Sequence, residues 1–437
     1  MEIDAAIEYV EGHIDYSTWA ARSGRTGNVD LSLDRMRRFV ELLGNPQATL
    51  PVIHVTGTNG KGSTSRIITR LLMAEGMRVG TYSSPHLAKY NERFRIDDVD
   101  IDDGSLAVLL TAMEAAEHVL GDRLMPFEVL TGAAYTWFAE QQVDVAVVEV
   151  GVLGRFDATN VADGRVAVVT NIGFDHTNGE GDWRMRIAAE KAGIVKPGAH
   201  VILGAIEPRL EHVFRDQLPS QVWRLGEDIV IESDATSDYG RVLSVTTPMQ
   251  RLNDLALPLH GAHQSSNCAL AVAAASAFRR RALPPENVAS ALAQVQMPAR
   301  LETVIERPLV IVDSAHNPDA ATALAKALHD DIACSGRKTL IIGLLSGRNP
   351  QRMLDALEAT TFDEIIACTP PTLRARAASE LAAVAIALGC SASAIDDIGD
   401  ALHAALATAS ANDLIVVTGS IYLAADARAW LTRRSNG

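Results

Sequence analysis

The chain has 437 residues, 48% of them hydrophobic and 21% charged, with a formal net charge of -15. That length and composition predict two or three domains with large cores and exclude a disordered chain. Acidic residues are scattered, no basic stripe is visible and no apolar run is long enough to cross a bilayer, so neither nucleic acid nor membrane is the expected partner.

The chain begins Met1-Glu2-Ile3-Asp4, without a charged-then-apolar leader. Its four cysteines, Cys268, Cys334, Cys368 and Cys390, are far apart. Both features predict a cytoplasmic protein with buried free thiols. A monomer is expected.

Helical patterns come first, at 2–12 and 31–44, around a polar stretch at 23–28. Strand-like runs at 52–56, 79–82, 143–150, 166–171 and 200–203 then alternate with helical ones at 60–75, 103–120, 127–141, 183–195 and 207–217. The runs are nearly continuous in apolar residues, as parallel strands covered on both faces are. Short β-like pieces at 222–224, 228–232 and 242–246 predict a small antiparallel region attached to the main sheet. A helix-rich stretch at 262–296 follows, with an alanine-rich core run at 268–277. The pattern breaks near residue 298 and restarts, with strands at 309–313, 339–343, 364–368 and 414–418 and helices at 318–331, 350–359, 376–388, 397–410 and 421–433. The fold class is therefore α/β: a P-loop ATPase domain with a mainly parallel sheet over 1–297, and a smaller Rossmann-like α/β domain over 298–437.

The most informative run is Val55-Thr56-Gly57-Thr58-Asn59-Gly60-Lys61-Gly62-Ser63-Thr64-Ser65. It joins a predicted strand to a predicted helix. Gly57, Gly60 and Gly62 permit close backbone approach, and N–H groups at the helix start point at an anion. Lys61 adds a mobile charge, and Ser63 or Thr64 offers a hydroxyl to Mg²⁺. Only Thr58 and Asn59 separate Gly57 from Gly60-Lys61, two residues fewer than in the usual phosphate loop. ATP is the expected ligand.

Other strand ends carry polar groups where open α/β sheets bind ligands. Ser83-Ser84-Pro85-His86-Leu87 follows one strand. Glu149 ends another, and a carboxylate in an apolar run is costly to bury unless a metal ion or a partner such as Arg155 offsets it. His176 follows a third strand, either as a site residue or as a helix-capping or core histidine. Lys191 lies on the next helix, where taken alone it reads as a solvated lysine.

In this order the motifs resemble the folylpolyglutamate synthase/dihydrofolate synthase family, within the Mur-ligase superfamily of ATP-dependent amide ligases. The resemblance rests on 56–63, 82–87, Glu149-Val150-Gly151, Arg155-Phe156-Asp157-Ala158-Thr159-Asn160, 171–177, 190–198, His263-Gln264-Ser265-Ser266-Asn267, Arg300-Leu301-Glu302 and Asp313-Ser314-Ala315-His316-Asn317-Pro318. It implies a Mur-ligase-like ATP-binding domain followed by a Mur-ligase-like amino-acid-binding domain. The implied reaction adds L-glutamate to a pteroate or folate carboxylate through an acyl phosphate. One Mg²⁺ would be held by Ser84, Glu149 and the ATP phosphates, and a second by Glu149, His176 and a carbamylated Lys191. Asn267, Arg300, Asp313 and His316 would contact nucleotide or amino acid, with Lys61, Lys191 and His316 carrying catalysis.

The chain departs from the family pattern at Val152-Leu153-Gly154, where paired glycine is usual, and at 178–182. Ala299 and Ser314 stand where glycine is common, and Gly347-Arg348-Asn349 replaces an Asp-Lys-Asp. These departures leave three other readings in play: a ligase of the same superfamily using another carboxylate or amino acid, an AMP-forming ligase, and a nucleotide-binding regulator without ligation.

Overall fold

The structure is a computed structural model and describes residues 1–13, 32–174, 177 and 179–435. The larger sheet contains β1 Val52–Thr56, β2 Val79–Tyr82, β3 Phe94–Ile96, β4 Val99–Asp100, β5 Val145–Glu149, β6 Gly164–Asn171, β7 His200–Ala205 and β8 Gln221–Arg224. Their order is β4-β3-β2-β5-β1-β6-β7-β8. Neighbours from β2 through β8 are parallel, while β3 and β4 fold back antiparallel at one edge.

Alternate side chains of the central strands enter two different cores, as a pleated strand requires. Ile53, Val55 and Val147 pack with helices Lys61–Ala74, Ala262–Arg279 and Pro285–Ala293 on one face. Val52, Ala146 and Val148 pack with helices Ile3–Glu11, Asp34–Leu42, Asp103–Leu120 and Pro126–Glu140 on the other. The alanine-rich run at 268–277 is wholly buried, as expected. Small side chains there let its helix lie close to the sheet.

A second, three-stranded antiparallel sheet has the order β11-β10-β9, built from β9 Val230–Ser237, β10 Gly240–Thr247 and β11 Gln250–Leu257. The predicted strand at 222–224 does not belong to it. That segment is β8, parallel to β7, because Trp223 completes the main core. The predicted helix at 207–217 shrinks to a 3-10 turn, Pro208–Leu210, and a single helical turn, His212–Arg215.

The second lobe has its own six-stranded sheet, β12-β13-β17-β14-β15-β16. Its strands are β12 Glu302–Glu306, β13 Leu309–Val312, β14 Lys338–Ile342, β15 Glu364–Ala367, β16 Ala392–Ala394 and β17 Leu414–Thr418. All pair in parallel except β12, which lies antiparallel at one edge. The four cysteines are free; Cys268 and Cys368 are buried, whereas Cys334 and Cys390 are only half-buried. Among the described residues no helix is long and apolar enough to cross a membrane. The stretch at 23–28 lies outside the described residues.

Candidate active site

The chain leaves β1 at Thr56 and enters the helix Lys61–Ala74 through a tight loop. Gly57 and Gly60 hold positive φ, 151° and 82°. A Cβ at Gly57 would collide with Thr170 Oγ1, and one at Gly60 with Asn267 Oδ1. Glycine is thus required at both positions for conformation and for space.

The end of β6 straps this loop in place. The N–H groups of Thr58 and Asn59 donate to Asn171 Oδ1, at 3.2 and 3.0 Å. Asn171 Nδ2 and Thr170 Oγ1 donate to Asn59 O, at 3.0 and 2.6 Å. Lys61 Nζ donates to Gly57 O and Thr58 O, at 3.1 and 3.2 Å. Ser63 and Thr64 are buried in the first helical turn, and Thr64 Oγ1 has no partner. A rigid loop, a cation and a helix N-terminus thus converge where an anion is favoured.

Glu149 ends β5 beside this loop and is 4% exposed. It accepts a hydrogen bond from the Ser84 N–H at 3.3 Å and makes no ion pair among the described residues. A Cβ at Gly62 would stand 3.5 Å from its Oε2. Burial pushes its carboxyl above the usual range, opposed by the Lys61 charge, the Ser84 N–H and the Arg300 and Arg93 charges. Arg155 is not its partner; the Arg155 guanidinium donates to Ala189 O at 3.1 Å.

Lys191 is 3% exposed, which removes the reading of a solvated lysine. Its helix, Trp183–Ala192, lies against the loop that follows Glu149. A Cβ at Gly154 would stand 3.1 Å from Lys191 Cα, and the Arg155 N–H donates to Glu190 O at 2.8 Å. Glu190 Oε2 is buried without a partner beside it. His176 lies outside the described residues, and among the described residues no three His, Cys, Asp or Glu side chains form a metal cluster.

The other predicted residues come from the helix Ala262–Arg279 and from the segment 300–316. Asn267 projects from the helix Ala262–Arg279 onto Gly60. Arg300 contributes positive potential at Glu149. Burial lowers the pKa of the His263 imidazole, with the Asp313 charge opposing and the Arg300 charge reinforcing. Asp313 accepts from the N–H groups of Leu301 and Ala315, at 2.9 and 2.7 Å, and so shapes the turn that carries Arg300. His316 Nδ1 lies 3.0 Å from Ser314 O.

Sequence reasoning did not single out Thr170 or Arg93, and it named Asn171 and His263 only within the motifs that carry the resemblance, without a role. A polar pair closing the apolar strand β6 was the available signal for Thr170 and Asn171. Arg93 comes from the turn after β2, where its Nε donates to His86 Nδ1 at 2.9 Å. Two cavities, of about 410 and 420 Å³, lie elsewhere; neither is lined by a residue of the phosphate loop.

The family description "Mur ligase middle domain" matches residues 55–275, and "Mur ligase, glutamate ligase domain" matches residues 299–421. Fold and site together define a Mur-type ligase, an ATP-dependent enzyme. The folylpolyglutamate synthase of Lacticaseibacillus casei is 35% identical, over 90% of this chain and 93% of that protein. The dihydrofolate synthase/folylpolyglutamate synthase of Escherichia coli K12 is 33% identical, over 94% and 93%. The Mycobacterium tuberculosis folylpolyglutamate synthase complexed with ADP superposes with a TM-score of 0.90 at 30% identity, covering 98% of each chain. The chain belongs to the folylpolyglutamate synthase/dihydrofolate synthase family.

Proposed function

We propose that the chain joins L-glutamate to the carboxylate of dihydropteroate or a folate, converting ATP to ADP and phosphate. The observation that carries this reading is Glu149, a buried carboxylate without an ion-pair partner among the described residues, set against a phosphate loop. A lone buried charge is costly, and a cation shared with nucleotide phosphates offsets that cost.

The donors fit a hard cation. The Glu149 carboxylate and the hydroxyls of Ser84 and of Ser63 or Thr64 are oxygen ligands of the kind Mg²⁺ takes. A second ion would draw on Glu149, His176 and Lys191. Carbamylation of Lys191 would turn a buried ammonium into a carboxylate-like ligand. Mg²⁺ held there would neutralise charge on the transferring phosphoryl.

The chain's own residues do the rest. The loop from Gly57 to Thr64, with Lys61, grips the phosphates. Asn267, Arg300 and Asp313 hold the nucleotide from the facing side. The acceptor carboxylate attacks the γ-phosphorus, ADP leaves, and the resulting acyl phosphate is open to the α-amine of glutamate. His316 places that amine or takes its proton. Two lobes, which we divide between residues 297 and 298, close over the acyl phosphate and exclude water. The enzyme acts as a cytoplasmic monomer on small molecules.

A second reading keeps the chemistry but changes the acceptor or amino acid. It is favoured by the departures around the site. Leu153 holds φ 60° in the loop that follows Glu149, and Ser314 Oγ donates to Ala299 O at 3.1 Å. A coupled assay with ATP, glutamate and either dihydropteroate or tetrahydrofolate separates the readings. ADP formed in step with either folate supports the first. ADP formed only with other acid–amine pairs supports the second, and AMP contradicts both.

A further inference from the structure

The second-lobe helix Pro318–Asp330 touches the first lobe at both ends. Asn317 caps its start, with Oδ1 accepting from the Ala320 N–H at 2.9 Å. The same side chain, fully buried, pairs reciprocally with the phosphate loop. Asn59 Nδ2 donates to Asn317 Oδ1 at 3.2 Å, and Asn317 Nδ2 donates to Asn59 Oδ1 at 2.9 Å.

Two residues on, Asp319 Oδ2 accepts the Phe174 N–H at 2.7 Å. A Cβ at Gly173 would collide with that carboxylate and stand 3.3 Å from Thr58 Cβ, so three segments pack closely here. Arg352, also from the second lobe, stacks 5.3 Å from the Phe174 ring. At the far end Asp331 accepts from Arg241 Nη1 at 2.7 Å and from the Gly261 N–H at 2.6 Å. Gly261 caps the helix that carries Asn267.

We infer that Asn317 and Asp319 are positioning residues: they register the phosphate loop and the 172–174 segment to the second lobe, so that both segments are aligned only when the lobes are closed. The pairing of Asn59 and Asn317 uses donor and acceptor on each side, so a displaced lobe loses both bonds together. The 172–174 segment, which leads to His176, is held by Asp319 and Arg352 at the same time. Acyl phosphate formed with these loops out of register meets water before it meets the amine. The inference deepens the ligase reading and rests on it for its kinetic consequence, though not for its structural one.

The test uses the full chain with two substitutions. Asn317→Ser keeps a good helix cap but is too short to reach Asn59. Asp319→Ala lies at an exposed position. Asn317→Ser is expected to leave the KM for ATP near its original value while kcat falls on the order of 10- to 10²-fold. ADP released per amide bond formed should rise above one in both variants. Independently of any turnover, the Phe174 amide should exchange hydrogen about fivefold faster in Asp319→Ala, the loss of one modest hydrogen bond. Unchanged coupling in both variants, or unchanged exchange at Phe174, overturns the inference. Failure of the unaltered enzyme to ligate folates, with Phe174 exchange still accelerated, counts against the substrate and not against the latch.

Discussion

At the scale of single residues, the candidate site sets a buried carboxylate, Glu149, beside a half-buried cation, Lys61. Lys61 bonds only to carbonyls of its own loop among the described residues, which leaves its charge available to a phosphate. Lys61→Ala should lower kcat on the order of 10²–10³-fold, by loss of one preorganised charge. Steady-state kinetics with a near-native circular dichroism spectrum would check it, and a loss under tenfold would contradict the role. Residues also explain some departures from the family pattern. Ala299 holds φ 53° where glycine is common, and Ser314, another such position, donates to its carbonyl. The two departures thus support each other. Ser314→Ala removes that hydroxyl from a buried place and should cost about 0.5–1.5 kcal/mol. Urea denaturation measures it, and an unchanged midpoint would remove the coupling. The phosphate loop was legible in sequence because its glycines and lysine are consecutive. The pairing of Asn317 with Asn59, 258 positions away, was not, because only tertiary folding brings the two amides together.

At the scale of elements, β1 carries a polar residue through the middle of the larger sheet. His54 is fully buried, its Nε2 lies 2.9 Å from Thr159 Oγ1, and burial pushes its pKa down to about 3, with Lys196 adding to the effect. The unfolded chain therefore binds a proton between about pH 6.5 and 3 that the folded one does not. Stability falls as pH falls through that window, by up to about 1.4 kcal/mol per pH unit from this group. His54→Gln should flatten that acid limb in a series of urea titrations; an unaltered slope would contradict the assignment. Elements legible from the sequence were those with long apolar periods. Edge pieces were missed because their cues are short. The β3–β4 hairpin turns on Asp97 and Asp98, both at positive φ, as tight hairpins require. Asp98 then pairs with Arg66 at 3.1 Å, tying the hairpin to the phosphate-loop helix. Nothing apolar marks that contact. Likewise β12 alternates too briefly to stand out, and β8 reads as part of the small sheet until Trp223 is seen in the main core.

At the scale of the whole molecule, polar pairs join the two lobes among the described residues, and one of them is deeply buried. Arg241 and Asp331 have side chains 8% and 1% exposed. Asp331→Ala leaves Arg241 with Asp234 alone and the Gly261 N–H without its acceptor. Breaking such a pair should cost about 3–5 kcal/mol. Equilibrium unfolding checks this, and a loss under about 1 kcal/mol would place the pair in the class of weak surface bridges. The two-lobed plan was visible in sequence as a restart of strand–helix alternation. How the lobes meet was not, since the contacts are single side chains from loops and helix ends. The central claim is that this meeting place makes and protects an acyl phosphate. Its most direct test supplies dihydropteroate or tetrahydrofolate labelled with oxygen-18 in the reacting carboxylate, together with ATP and glutamate. The account predicts one labelled oxygen in the inorganic phosphate released and none in ADP. Unlabelled phosphate, or label in AMP, would contradict it.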